Sequence, residues 1–285
     1  MVKYIGAARI EADNIIIGPD CYISNNVKIK VKGTFELGRC SIILDDCKIE
    51  CQEFKAGEYT FIASRVEIGR GGNKNPDSII HIGDHVGIFE DTVINTNSKV
   101  TIGNDVGIGA EVMIWTHGAW LDITQGFPSD FGPVTIGNNV WLPAKSIMLP
   151  NTSIGDNTVI GIGSIITKDI PAGCLAAGTP CKELRNDCYP RTLSADEKLQ
   201  LINDILNEWY TTLVPYKKIK SVTNLRYDIV ADVIELYQND DVTKYYIDKR
   251  TIEGYNNDVS EDLRDYLRRR GIKYYTGKPF KSINE

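Results

Sequence analysis

The chain has 285 residues, of which 42% are hydrophobic and 25% charged, with a formal net charge of −6. These are the values of a globular protein long enough for one large domain or two ordinary ones. The acidic balance is thin and there is no basic block, which argues against a nucleic-acid partner. No run of about 18 apolar residues occurs, so no membrane-spanning helix is expected. The opening "MVKYIGAARIEAD" lacks the apolar core of an export signal, so a cytoplasmic location is expected. Cys21, Cys40, Cys47, Cys51, Cys174, Cys181 and Cys188 form no C-x-x-C pair and are odd in number. Reduced thiols are the consistent reading, with Cys21 and Cys47 as small interior fillers.

From residue 17 the chain runs in sixes, with an aliphatic residue first and a small one fifth. "IGPDCY" (17–22), "ISNNVK" (23–28), "IKVKGT" (29–34), "LGRCSI" (37–42), "ILDDCK" (43–48) and, more weakly, "IECQEF" (49–54) fit this frame. So do "IGDHVG" (82–87), "IFEDTV" (88–93), "INTNSK" (94–99), "IGNDVG" (102–107), "IGAEVM" (108–113) and "IWTHGA" (114–119). An unbroken block, "IGNNVWLPAKSIMLPNTSIGDNTVIGIGSIITKDIP", fills 136–171. A period of six suits neither a helix face nor a simple alternating strand. It suits a short strand followed by a tight corner, with three such units closing one triangular coil. The aliphatic residues then stack coil on coil, and Gly, Asn and Asp fill corners because they tolerate turn and left-handed backbone. The expected fold is mainly β, a parallel β-helix of hexapeptide repeats.

Three interruptions break the rhythm. "RGGNKNPDS" (70–78) is not a phosphate loop, because it lacks a spaced G-K-[ST] and no helix pattern follows. Two extra residues at "VT" precede Ile102. The third follows His117, where a stretch at 118–133 carrying Trp120, Phe127 and Phe131 separates "IWTHGA" from "VTIGNN". His117 is the fourth residue of its hexad, at a corner and facing out of the core. Stacking Ile94 under Ile114 places Asn97 beneath His117 and Asn95 beneath Trp115. The plainer alternative is that both asparagines only turn corners. His81 precedes the corner Ile82, and His85, although fourth in its hexad like His117, belongs to a different height of the coil, so no metal site is expected.

Beyond about residue 186 the repeat ends. "LSADEKLQLINDILNEWYTTL" opens on a capping box, Ser194-x-x-Glu197, and places Leu199, Ile202, Ile205, Leu206 and Trp209 on one helical face. "LRYDIVADVIELYQ" and "TKYYIDKRTI" read as strands with "QNDD" turning between them. "SEDLRDYLRRRG" reads as a second helix, capped by serine and stopped by glycine. The expected organisation is therefore a β-helix domain over 1–186 and a small α/β appendage over 187–285.

The segment "GPVTIGNNVWLPAKSIMLPNTSIGDNTVIGIGSIITKDIPAGCLAAGTPCKELR" (132–185) resembles the hexapeptide acyltransferases, above all the sugar and polysaccharide O-acetyltransferases. The resemblance is strong over about residues 80–186, loose before that, and absent from the tail. Pro143 departs from the family, which usually has glycine there. The resemblance implies a left-handed β-helix and a homotrimer with acetyl-CoA lying in the groove between subunits. It implies His117 as general base, with Asn97 or Asn95 orienting substrate or holding the oxyanion. Ala144 and Ile162 match contacts along the pantetheine, Thr167 and Lys168 match positions near the adenosine and pyrophosphate, and Lys182 and Arg185 match basic residues near the 3′-phosphate. Trp141 is expected at the groove wall close to His117, a core-edge aromatic being the plainer alternative. The implied activity is direct acetyl transfer from acetyl-CoA to a sugar hydroxyl, without acyl-enzyme. The chemistry is consistent: a thioester is already activated, so a base that removes the hydroxyl proton is what remains to be supplied, and imidazole is the usual one. An N-acetyltransferase acting on an amino or nucleotide sugar would use the same base. A β-helix without catalytic activity, with the tail as its interaction module, is the alternative of a different class.

Overall fold

A computed structural model describes residues 2–5, 8–71, 74–217 and 224–280. The chain divides into two compact units, Met1–Arg191 and Thr192–Glu285.

The first unit is a left-handed parallel β-helix with three walls. Wall one contains Tyr22–Ile23, Ile42–Ile43, Phe61–Ile62, Gly87–Ile88, Gly107–Ile108, Trp141–Leu142 and Val159–Ile160. Wall two contains Lys28–Val31, Lys48–Cys51, Glu67–Ile68, Val93–Ile94, Met113–Ile114, Ile147–Met148 and Ile165–Ile166. Wall three contains Asn14–Ile17, Thr34–Leu37, Glu53–Ala56, Ile79–Ile82, Val100–Ile102, Val134–Ile136 and Ser153–Ile154. The aliphatic first positions stack in register. In wall two Ile49, Ile68, Ile94, Ile114, Met148 and Ile166 form one column. Each is at most 1% exposed. Burial of one such side chain contributes about 1.5–3 kcal/mol, so each coil is stabilised chiefly by the coils above and below it. Two hexads absent from the sequence reading, "AGEYTF" (56–61) and "IASRVE" (62–67), pair in register with their neighbours. The first opens on alanine in place of a large aliphatic residue. The strand Val2–Ile5, also outside the repeat, pairs antiparallel with Ala8–Glu11.

The corners have their own chemistry. Fourth hexad residues are left-handed at all three: Asp105 has φ 55° and Asn139 φ 54° between walls three and one, Asp46 has φ 61° and Lys145 φ 61° between walls one and two, and Asn151 has φ 58° between walls two and three. Asn and Asp suit this region best, and Lys145 shows that stacked coils impose it on other residues too. Some fifth residues bond the corner backbone: the Thr60 hydroxyl donates to the Gly57 carbonyl at 3.0 Å and the Ser164 hydroxyl to the Gly161 carbonyl at 2.6 Å. At the corner between walls three and one, side chains climb as a ladder. Asn104 Oδ1 accepts from the Asp84 N–H at 2.8 Å, Asn138 Oδ1 from the Asn104 N–H at 2.8 Å, and Asp156 Oδ1 from the Asn138 N–H at 2.6 Å. The coils approach so closely there that a Cβ on Gly103 would lie 2.7 Å from the Gly137 carbonyl carbon.

All seven cysteines are free. Cys47 and Cys51 are buried, and burial pushes their thiols up to about 11 and about 12. Cys21 is only half-buried, and its thiol donates to the Gly38 carbonyl at 3.0 Å.

In the second unit the helix Ala195–Glu208 carries the capping box of Ser194 and Glu197 and buries Ile202 and Leu206. Leu199 is 42% exposed and so lies off the buried face expected for it. Each of the two strand runs read from sequence is a hairpin. Together they make a four-stranded antiparallel sheet of Arg226–Val230, Val233–Gln238, Asp241–Tyr246 and Thr251–Gly254. The hidden break in the first run is at Ala231, whose φ is 53°. The last helix spans Asp258–Arg269 and is capped by Asn257, with Ser260 as the third residue of a capping box instead of the cap. Trp209, Leu236, Tyr245, Leu263 and Leu267 are fully buried in this unit's own core. Among the described residues, no helix is long and apolar enough to cross a membrane.

Candidate active site

All three interruptions of the repeat fall at the same corner, between walls two and three. In successive coils the chain leaves wall two at Ile68, Ile94 and Ile114 and re-enters wall three at Ile79, Val100 and Val134. The insertions therefore stack, although they lie far apart in sequence.

His117 sits in this stack. Its Nδ1 is 2.9 Å from Asn95 Oδ1. Asn95 is fully buried, and its amide orientation is set by its neighbours. Its Nδ2 donates to the Arg70 carbonyl, and its Oδ1 accepts the Thr116 hydroxyl at 2.7 Å. An amide oxygen only accepts, so the imidazole must donate from Nδ1. That leaves the Nε2 lone pair free of this bond. Thr116 is itself buried and receives the Ser98 N–H at 3.0 Å, which ties the histidine strand to the coil beneath.

The loop after His117 folds back on it. His117 and Gly118 pair antiparallel with Phe131 and Asp130, and the His117 and Phe131 rings stack with centroids 5.7 Å apart. The return strand is held from above, where Asn151 Nδ2 donates to Asp130 Oδ1 at 2.6 Å and to the Phe131 carbonyl at 3.1 Å. At the loop tip Asp122 caps the short helix Ile123–Gln125, and its bonds to Thr124 hold its carboxyl below the usual carboxylate range. Trp120 is 96% exposed, and Leu121, Ile123 and Phe127 are exposed as well. On the other side of the imidazole lies the lower insertion: a Cβ on Gly71 would be 3.9 Å from His117 Cε1.

The residues expected to act together are only partly brought together. Asn95, not Asn97, is the side chain that holds His117; Asn97 meets the site through its backbone N–H, 3.3 Å from Asn95 Oδ1. Register alone stacks Asn97 under His117, but the strand turns at this corner, so the inward side chain of Asn95 reaches the ring. Thr167 and Lys168 are exposed at the same corner, higher in the stack. Trp141 is 60% exposed on wall one, across the prism from this corner, so within one chain it is not the neighbour of His117 that the sequence reading made it. Ala144 and Ile162 stack at the corner between walls one and two, where the Gly163 N–H donates to the Ala144 carbonyl at 3.1 Å, and Ile162 is 74% exposed. Lys182 and Arg185 lie exposed on the strand Lys182–Arg185 that ends wall one. Sequence reasoning missed Thr116, Gly71 and Asn151. The signal for Gly71 was available, because counting coils places the 70–78 insertion one coil below Asn95.

His81 and His85 stand apart from His117. His81 Nε2 is 2.6 Å from Glu53 Oε1, a bond that holds the Glu53 carboxyl below its usual range, and His85 Nδ1 faces Asp105 at 3.4 Å.

Residues 133–168 match the bacterial transferase hexapeptide (six repeats) profile. Galactoside O-acetyltransferase of Lactococcus lactis is 36% identical over 149 residues, 51% of this chain and 70% of that enzyme. The chain belongs to the hexapeptide-repeat transferase family. Galactoside O-acetyltransferase of Escherichia coli is 37% identical to this family member over 131 residues, 45% of this chain and 62% of that protein's length. A solved hexapeptide-repeat acetyltransferase from Vibrio cholerae is 25% identical, covering 53% of this chain and 73% of that one at a TM-score of 0.39.

Proposed function

We propose that the chain is an acetyltransferase that moves an acetyl group from acetyl-CoA to a hydroxyl of a sugar or surface-polysaccharide acceptor. One observation carries this reading. His117 is clamped through Nδ1 by a buried amide, so that Nε2 is the basic nitrogen, and it stands at a corner roofed by an exposed apolar loop. Support comes from the galactoside O-acetyltransferases to which the chain is similar.

In the reaction, Nε2 takes the proton of the acceptor hydroxyl as its oxygen attacks the thioester carbonyl carbon. The carbon–sulfur bond breaks from the tetrahedral intermediate, and the proton passes to the departing CoA sulfur. The products are an acetyl ester and free CoA thiol, and no acyl-enzyme forms. A base so placed contributes about 10²–10⁴-fold to rate. The bond to Asn95 fixes the tautomer and supports the imidazolium that forms midway.

The exposed cations Lys168, Lys182 and Arg185 suit the phosphates of CoA. Lys168 stands higher at the His117 corner, whereas Lys182 and Arg185 belong, with Trp141, Ala144 and Ile162, to parts of the prism that His117 does not share within one chain. A second copy whose wall one lies against the His117 corner would complete the groove, and the homotrimer is part of this proposal. So is a cytoplasmic location, where acetyl-CoA is made available. The test is release of CoA thiol from acetyl-CoA with a panel of sugar acceptors paired with their amino-sugar analogues. The reading expects turnover with hydroxyl acceptors. Turnover confined to the amines would make the enzyme an N-acetyltransferase, and no turnover together with no acetyl-CoA binding would make the β-helix a scaffold.

A further inference from the structure

The second unit contains a cavity of about 250 Å³, lined in part by Gln238, Asp241, Tyr255, Asn257 and Asp258. The fold builds it where two features meet. Gln238 ends one strand and Asp241 begins the next, joined by a tight turn in which Asn239 has φ 56°. Beside this turn the chain leaves Gly254, passes Tyr255 and enters the helix Asp258–Arg269.

Gln238 is 3% exposed, and its Nε2 has no hydrogen-bond partner. Its orientation is dictated by the helix. Asn257 Oδ1 accepts the Val259 and Ser260 N–H groups at 3.0 Å each, which caps the helix and fixes that amide. Asn257 Nδ2 must then donate, and it donates to Gln238 Oε1 at 2.5 Å. With its oxygen committed, Gln238 can present only its nitrogen elsewhere. A buried amide N–H without an acceptor costs free energy comparable to a lost hydrogen bond. An acceptor atom entering the cavity would recover it.

We propose that this cavity binds one ring of a neutral saccharide. The size fits: it lies just below the roughly 300–1,000 Å³ of sites for drug-sized ligands, as suits a single ring. The chemistry fits as well. The Asp241 and Asp258 carboxylates accept from hydroxyls, while Gln238 Nε2 donates to a hydroxyl, ring or N-acetyl oxygen. Tyr255, 48% exposed, offers an aromatic face to the ring carbons. No cation is among the lining residues, so a phosphate or carboxylate ligand is disfavoured. A bound metal ion would leave the Gln238 donor unserved, and among the described residues no group of three or more His, Cys, Asp or Glu side chains gathers to hold one. The proposed acetyl transfer is a separate matter, since every residue named here lies outside the β-helix unit.

The test uses the full chain and saturation-transfer difference NMR with methyl β-D-galactopyranoside, maltose and N-acetylglucosamine as probes. At least one sugar should receive saturation. Gln238→Leu should weaken its affinity about tenfold, the loss expected for one buried hydrogen bond. Asp241→Ala, at an exposed position where folding is not at stake, should weaken it as well, and both variants should keep wild-type acetyl transfer. The proposal is overturned if none of the three sugars receives saturation. It is equally overturned if Asp241→Ala and a folded Gln238→Leu bind the sugar as wild type does, or if calcium chloride alone binds at these residues and the sugars do not.

Discussion

Two corners of the same prism, built from the same repeat, use their polar side chains in opposite ways. Between walls three and one, Asn104, Asn138 and Asp156 each accept a backbone N–H from an adjacent coil, and the glycines beside them let coils meet at contact distance. These three side chains serve the backbone, and the corner keeps its length from coil to coil. Between walls two and three the chain is lengthened in three successive coils, and the buried Asn95 bonds an insertion below it and an imidazole above it. The regular corner supplies rigidity. The irregular one holds loops and a histidine whose second nitrogen is left available. A repeat can carry a reactive group only where it stops satisfying itself, and loops on a rigid scaffold are where such groups usually stand.

The comparison can be broken most severely at His117. His117→Ala should lower turnover by about 10²–10⁴-fold with thermal stability near that of wild type, because the residue belongs to the lengthened corner. Steady-state kinetics and a melting curve measure both, and unchanged turnover would leave the irregular corner without its chemistry. The complementary change is Gly103→Val at the regular corner. A side chain whose Cβ would sit 2.7 Å from the Gly137 backbone must push coils apart, and about 1–3 kcal/mol of stability should be lost. Denaturant unfolding would show it, while turnover at a temperature where the variant is folded should change little. If the stability holds, the corner is looser than its contacts imply. The mildest probe is chemical. With their thiols pushed up to about 11 and about 12, Cys47 and Cys51 are almost wholly protonated at pH 8. Iodoacetamide should therefore label the less buried Cys21 and Cys188 first. Early labelling of Cys51, read by peptide mass spectrometry, would mean that the coils open far more readily than a stacked column allows.

Much of this was legible in the sequence because a period of six has few physical solutions. The stacked columns through Ile94 and Ile114, and the left-handed corners at Asp105 and Asn139, follow from the spacing itself. His117 stood out because the rhythm fails just after it. What the spacing did not contain was side-chain direction at an irregular corner: register puts Asn97 under His117, yet the buried Asn95 is the residue that turns toward the ring. Nor did it assign Trp141 to a wall across the prism from His117, although that residue's place as the sixth of its hexad would have done so. In the second unit, Ser260 looked like a cap because serine commonly is one. Asn257 takes the position instead with its amide oxygen, and the amide nitrogen it turns away from the helix is the group that orients Gln238.

The central claim is that Asn95 holds His117 as the tautomer with a bare Nε2. The direct test is 15N NMR of the histidine ring in the wild type and in Asn95→Ala, at a pH where the imidazole is neutral. The account predicts a proton on Nδ1 and an unprotonated Nε2 in the wild type, with that preference weakened in the variant. A wild-type ring protonated mainly at Nε2 would contradict it, since the nitrogen assigned to take the acceptor's proton would already hold one.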